Sequence, residues 1–282
     1  MKLNAFSSRR DVSRFVTRKY SRMALIPART VVEPSLGDNS ISDGKSSGEA
    51  MSQKYSQKLN LGCGPNAPAN WLNVDGSWNA WLSNHTYLHK TLKVFGVISK
   101  NSPGAEWNVR PLVHDLTRPL PFKGNSVAVI YGAHVLEHLY LADAQNLLGE
   151  CLRVLRPGGV IRMVVPDLRS MVTNYLKNKN GGSPSPAERI AAADKLNQML
   201  GFRSPAPPTG NALFKFYYLW KDFHHHKWMY DSDSLIRYME NAGFVAVSEK
   251  AYLQSEIPSI EEVEEAGRVL DGAGICVEGR KP

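Results

Sequence analysis

The residues able to do chemistry fall in four short segments. Lys58–Pro65 (KLNLGCGP) puts Gly62 and Gly64 directly after an apolar run, and a turn without Cβ atoms lets the backbone pass close to a ligand. Trp71–Gly76 (WLNVDG) ends a second run on Asp75, a strand-tip carboxylate suited to accept the hydroxyl protons of a ribose. Val113–Leu116 (VHDL) carries Asp115, which could hold an adenine amino group or close an Asx turn. Leu116 would add an apolar face and a backbone N–H.

The fourth segment, Ser126–Leu139 (SVAVIYGAHVLEHL), opens from a buried-strand pattern into His134, Glu137 and His138. Spaced i, i+3 and i+4, these three share a face if the segment is helical. Three roles stay open. Glu137 and His138 could hydrogen-bond the loop and position it. His138 or His134 could act as a general base, because a neutral imidazole near pH 7 can take a proton. Or the group could ligate a metal with His226, or with His224 or His225, from Phe223–Trp228 (FHHHKW). No metal ligand is assigned from the sequence.

These residues need a scaffold that brings segment ends together. The predicted strands are 58–61, 71–75, 111–114, 127–131, 160–165, 244–251 and 273–279. A helix over 142–155 is predicted from Leu147, Leu148, Cys151, Leu152 and Leu155 at helical spacing, with Pro157-Gly158-Gly159 as its stop. A later helix starts at Asp231 or Ser232 and stops at Gly243. Strands alternating with helices imply a parallel sheet wound on both faces, with ligands over the strands' carboxyl ends. Only Pro65–Asn70 separate Gly64 from Trp71, too few for a crossover helix of about 10 residues. Residues 77–110 and 177–225 read as insertions over the ligand face, where acceptor pockets and lids form.

Together with Cys151–Asp167 (CLRVLRPGGVIRMVVPD), the ordered segments resemble the class I S-adenosylmethionine-dependent methyltransferases, in particular the type-11 methyltransferase domain family. The resemblance runs from about Lys58 to Leu168, with looser echoes at His226–Tyr230, Asn241–Phe244 and Ile275–Gly279. It implies an α/β, Rossmann-like, doubly wound seven-stranded sheet with helical insertions, and S-adenosylmethionine as cofactor. It implies cofactor contacts from Asn60, Leu61, Gly62, Cys63, Gly64, Asp75, Asp115, Leu116, Tyr131 and His134, with catalytic work at His138, His134 and Glu137. Tyr131 could face the sulfonium by cation–π attraction or simply pack at its strand end. The implied reaction is methyl transfer to an oxygen or nitrogen of a small-molecule or glycan-like acceptor. The turn is also similar to that of metal-assisted small-RNA 2′-O-methyltransferases and ubiquinone-pathway O-methyltransferases, which carry an acid where His134 stands.

Composition narrows the alternatives. The 282 residues are 43% hydrophobic, enough for one good-sized core or a core plus a small cap. No run approaches the roughly 20 apolar residues of a membrane span. Cys63, Cys151 and Cys276 show no C-x-x-C spacing and read as buried free thiols in a reducing compartment, hence a cytoplasmic protein. Of the net charge of +8, most sits in residues 1–30, which hold eight Lys and Arg against one Asp. Residues 1–56 are therefore expected to be a basic arm and flexible linker on a near-neutral domain, 57–282. The arm could pack loosely on the domain, touch anionic lipid or RNA, or direct the chain to an organelle. Nucleic acid is the less favoured partner, and oligomeric state is left open. Two rivals remain: a nicotinamide-dependent oxidoreductase, disfavoured by the absent third glycine and by Pro65, and a methyltransferase fold serving only as a binding scaffold.

Overall fold

The computed structural model describes residues 57–94, 107–180, 186–201 and 225–282. The arm and linker, His224 and much of the 177–225 insertion lie outside them. Seven strands form one sheet: β1 (Gln57–Leu61), β2 (Leu72–Asp75), β3 (Leu112–Val113), β4 (Val127–Ala133), β5 (Leu155–Pro166), β6 (Val245–Lys250) and β7 (Gly274–Arg280). Their order is β3-β2-β1-β4-β5-β7-β6. The chain reverses direction of growth between β1 and β4, and a crevice at such a switch point is where open α/β sheets bind ligands.

The sheet is mixed rather than wholly parallel. β7 pairs antiparallel with both β5 and β6. Between β6 and β7 the chain forms only the short 3-10 turns Ile260–Glu262 and Ala266–Gly272, so no long helix carries it back to start a parallel strand.

The helices are α1 (Trp78–Ser83), α2 (Thr86–Val94), α3 (Leu141–Val154), α4 (Leu168–Asn180), α5 (Pro186–Met199) and α6 (Ser232–Asn241). α3 buries Ala144, Leu147, Leu148, Cys151 and Val154 at helical spacing. It ends at Val154, earlier than the Pro157-Gly158-Gly159 stop predicts, because Leu155 turns extended and pairs with Val127. Asp231 caps α6 in a reciprocal box with Ser234, as the sequence suggests.

Alternation along the strands sorts the core into two layers. Leu59, Leu61, Ile130, Ile161 and Met163 pack with the apolar faces of α3 and α6. Trp71, Val129, Tyr131, Val160 and Val164 face the other way, onto Ile257, Ile260, Val263 and Val269. The C-terminal segment between β6 and β7 thus covers this second face. It is anchored by a buried ion cluster: Arg162 on β5 binds both oxygens of Glu264, at 2.6 and 2.8 Å, and Glu278 at 2.9 Å.

No helix among the described residues is long and apolar enough to cross a membrane. The three cysteines are free and buried. Burial pushes the thiols of Cys63 and Cys276 up to about 12 and raises that of Cys151 as well, so none is a thiolate at neutral pH.

Candidate active site

The glycine turn follows β1 with both glycines left-handed, Gly62 at φ 61° and Gly64 at φ 65°. They need that freedom for different reasons. A Cβ on Gly62 would stand 2.4 Å from Val135 Cγ2, whereas one on Gly64 would meet no protein atom within 4 Å. Gly62 therefore lets the turn close on the segment after β4, and Gly64 opens onto empty space.

Side chains build the connection that has no room for a helix. Asn73 donates to the carbonyls of Pro68 and Trp71, at 2.8 and 3.0 Å, and accepts from Asn60. Asn108 exchanges two hydrogen bonds with the Ala67 backbone. Arg268, from the distant 3-10 turn, donates to the carbonyls of Cys63 at 2.8 Å and Asn66 at 2.6 Å. Nothing in the sequence marks Arg268 for this task, because only the completed fold brings it to the turn.

Asp75 ends β2 and is 8% exposed. Its carboxylate accepts the Gly64 N–H at 3.1 Å and the Ser77 N–H at 2.8 Å, one per oxygen, so each oxygen keeps acceptor capacity. Asp115 closes an Asx turn by accepting from Thr117 N and Oγ1. Both acids border one cavity of about 280 Å³ over the carboxyl ends of β1, β2 and β4. Gly62, Gly64 and Pro65 line its floor; Leu116, Val135 and Leu139 supply apolar wall. Ser77, Asn79 and Trp107, from the two ends of the first insertion, complete it.

On the β4 side the cavity is bordered by His134 and His138. The turn is not one regular helix: His134 stands outside it at φ 56°, and a 3-10 turn follows over Leu136–His138. His134 nonetheless reaches Glu137, Nδ1 to Oε1, at 2.8 Å, while its Nε2 lies 2.9 Å from the Arg268 carbonyl. A carboxylate and a carbonyl both accept, so the two contacts favour the ring with a proton on each nitrogen. Burial by itself would lower the His134 pKa, but the hydrogen bond and charge of Glu137 and the Arg268 carbonyl outweigh it and raise the pKa above the ordinary value. This geometry makes His134 a clamp between Glu137 and the C-terminal segment, not a group free to take a proton.

Of the residues singled out in the sequence, Gly62, Gly64, Asp75, Asp115, Leu116, His134 and His138 border the cavity together. Asn60, Leu61, Cys63 and Tyr131 do not border it. The Asn60 side chain is spent on Asn73, and Leu61 is core. The Cys63 side chain is buried, leaving its backbone to the turn. Tyr131 points to the opposite face of the sheet, edge-on to Trp71 at 6.4 Å between ring centroids. Strand alternation explains it: Ile130 and Gly132 take the other side. Glu137 is fully buried behind the wall. Residues missed by sequence reasoning are Ser77, Asn79 and Trp107, which sit at the ends of an insertion with no motif of their own, and Arg268.

Parallel strands β1 to β5 with a glycine turn after β1, an acid at the tip of β2 and a cavity at the switch point are the arrangement of the class I methyltransferase fold. The open space at Gly64 and the spare acceptor capacity of Asp75 fit S-adenosylmethionine. Residues 59–163 match the family model described as methyltransferase domain, Methyltransf_11. That stretch is a methyltransferase domain similar to this family's, and the chain is an S-adenosylmethionine-dependent methyltransferase.

Similar solved structures include a Thermotoga maritima S-adenosylmethionine-dependent methyltransferase, described as a possible histamine N-methyltransferase, at 16% identity and TM-score 0.38, covering 80% of this chain and 82% of that one. Another is Haemonchus contortus phosphoethanolamine N-methyltransferase 2 with phosphomonomethylethanolamine and S-adenosylhomocysteine, at 13% identity and TM-score 0.40, covering 81% and 49%. No curated protein matches the chain.

Proposed function

We propose that this methyltransferase moves the methyl group to an oxygen or nitrogen of a small-molecule or glycan-like acceptor, entering on the His138 side of the cavity. The observation that carries the reading is a single cavity with the glycine turn, Asp75 and Asp115 on one side and an imidazole on the other. Bound S-adenosylmethionine supplies an electrophilic sulfonium methyl. The chain's own residues then have three tasks: hold the nucleoside, exclude water with Leu116, Val135 and Leu139, and align the acceptor in line at about 3 Å. His138 stands where the acceptor's proton must be managed. A cytoplasmic site of action fits the three buried free thiols. RNA is the less favoured acceptor, since the basic charge sits in residues 1–30 rather than around the cavity.

Release of S-adenosylhomocysteine, measured against hydroxylated and aminated sugars, phenols, amines and a short RNA, tests this reading. Turnover on a small hydroxyl or amine acceptor is expected. Turnover on RNA alone would reverse the choice of acceptor, and cofactor binding without turnover on any class would favour the scaffold.

The ribose role proposed for Asp75 has its own expected outcome. Asp75→Ala should weaken S-adenosylmethionine binding by about 1.5–3 kcal/mol, as for hydrogen bonds to a charged group. Asp75→Asn, which keeps one oxygen for the Gly64 or Ser77 N–H, should fall between it and the parent. Calorimetric titration reads both; unchanged affinity in Asp75→Ala would place the ribose elsewhere.

A further inference from the structure

Glu137 is fully buried, yet only half of its carboxylate is engaged. Oε1 accepts from His134, while Oε2 has no hydrogen-bond partner among the described residues. An unpaired carboxylate oxygen in the interior is costly unless a donor or a cation meets it. His226 Nδ1 is likewise buried without such a partner. The rings of His138 and His226 meet edge to face, with centroids 5.0 Å apart. One ligand atom from each of Glu137, His138 and His226 lies within 4.8 Å of the others.

The backbone fixes this meeting of distant segments. Lys227 N and Trp228 N donate to the Glu137 carbonyl at 2.7 and 3.4 Å, and Lys227 Nζ donates to the His138 carbonyl at 2.8 Å. His226 N donates to the Gly201 carbonyl at 3.0 Å. The His226 ring lies on Gly201 so closely that a Cβ there would stand 2.5 Å from Nδ1. Of the described candidates His225 and His226, His226 is thus the one whose ring meets the turn. His134 is taken out of the ligand set, both its nitrogens being engaged with Glu137 and the Arg268 carbonyl.

We propose that Glu137, His138 and His226 form a binding site for one divalent transition-metal ion, which borders the cofactor cavity through His138 and receives a hydroxyl of the acceptor. Two imidazoles and one carboxylate suit borderline first-row ions such as zinc or cobalt and leave coordination positions open. Calcium and magnesium prefer all-oxygen sets. Ligand atoms about 2.0–2.2 Å from an ion sit roughly 3–3.5 Å apart, so from a spread of up to 4.8 Å the widest pair closes by up to about 1.3–1.8 Å on binding. His134 holds the far oxygen of Glu137, the outer support that ligating carboxylates ordinarily have.

The acceptor class follows, resting on the methyl-transfer reading above. A Lewis acid beside the cavity promotes loss of a hydroxyl proton, which selects hydroxyl over amine acceptors. The acceptor hydroxyl gives its proton to water, its oxygen bonds the methyl carbon as the carbon–sulfur bond breaks, and the electron pair stays on sulfur. The products are a methyl ether, S-adenosylhomocysteine and a proton.

The test begins with the chain stripped by a chelator and titrated calorimetrically with zinc or cobalt alone, without cofactor or acceptor. One ion per chain is expected, with a cobalt spectrum of low coordination number. His226→Ala and Glu137→Gln should each weaken binding by more than about 100-fold. His226→Asp, which keeps an oxygen donor, should retain part of it, and His225→Ala should leave it unchanged. Circular dichroism shows that each variant is folded. No stoichiometric binding, or binding indifferent to His226→Ala and Glu137→Gln, overturns the site. Full turnover on a hydroxyl acceptor by the stripped chain overturns the ion's role in the reaction. Metal binding with transfer only to amines would keep the ion and refute the hydroxyl acceptor.

Discussion

Replacing His138 by alanine is expected to lower turnover by about 10²–10⁴-fold, because it removes the imidazole, or the ion that imidazole helps to hold, which promotes loss of the acceptor's proton. Affinity for S-adenosylmethionine should stay close to the parent's. The separation follows from position: the glycine turn, Asp75 and Asp115 lie along β1, β2 and β3, whereas His138 follows β4 on the other side of the cavity. Single-turnover formation of S-adenosylhomocysteine reads the first quantity, and calorimetry the second. A variant that loses cofactor affinity and thermal stability together, with turnover falling only in proportion, would reduce His138 to a structural part of the turn.

The largest stability effect is expected at Arg162. Its guanidinium is fully buried and bound by Glu264 and Glu278, both nearly inaccessible. It also donates to the carbonyls of Ala251 and Gln254. Arg162→Met would leave two carboxylates facing one another in the interior, and stranding a buried charge costs about 3–5 kcal/mol. Denaturant unfolding should show a lower midpoint at unchanged slope. Adding Glu264→Gln and Glu278→Gln to Arg162→Met should recover part of the loss, because those changes remove the stranded charges. A single variant as stable as the parent would mean that water reaches the cluster. Because Glu264 belongs to the segment that carries Arg268, the loss should also loosen the glycine turn.

The sequence showed the site's β1-to-β4 frame plainly, and local physics explains why. Glycine turns after apolar runs, acids at run ends and a helix with one apolar face are short-range patterns, and the strands over 57–61, 72–75 and 127–133 fall within two residues of expectation. What stayed hidden depends on residues far apart in the chain. Arg268 meets Cys63 across a separation of 205 residues, and no local pattern announces such a partner. The antiparallel entry of β7 depends on a connection whose only structure is 3-10 turns. Of the two readings of Tyr131, packing at the strand end is the one its position matches, and the sequence could not choose because the register of β4, which decides its face, is set by pairing with β1 and β5. Arg162 did leave a trace: one arginine inside the apolar run Val160–Val165 has to find buried acids. His226 was legible as a candidate, but its choice over His225 rests on the Lys227 and Trp228 bonds to Glu137.

One titration tests the central claim, that the cavity beside Gly64 holds the cofactor. Gly64 is left-handed and opens onto empty space, so Gly64→Val places a branched side chain in the cofactor's volume at a backbone conformation valine resists. Calorimetric titration with S-adenosylmethionine should show one molecule bound per chain in the parent and no measurable binding in Gly64→Val, with circular dichroism confirming a folded variant. A folded Gly64→Val chain that binds S-adenosylmethionine as tightly as the parent would contradict the account and place the cofactor in another part of the molecule.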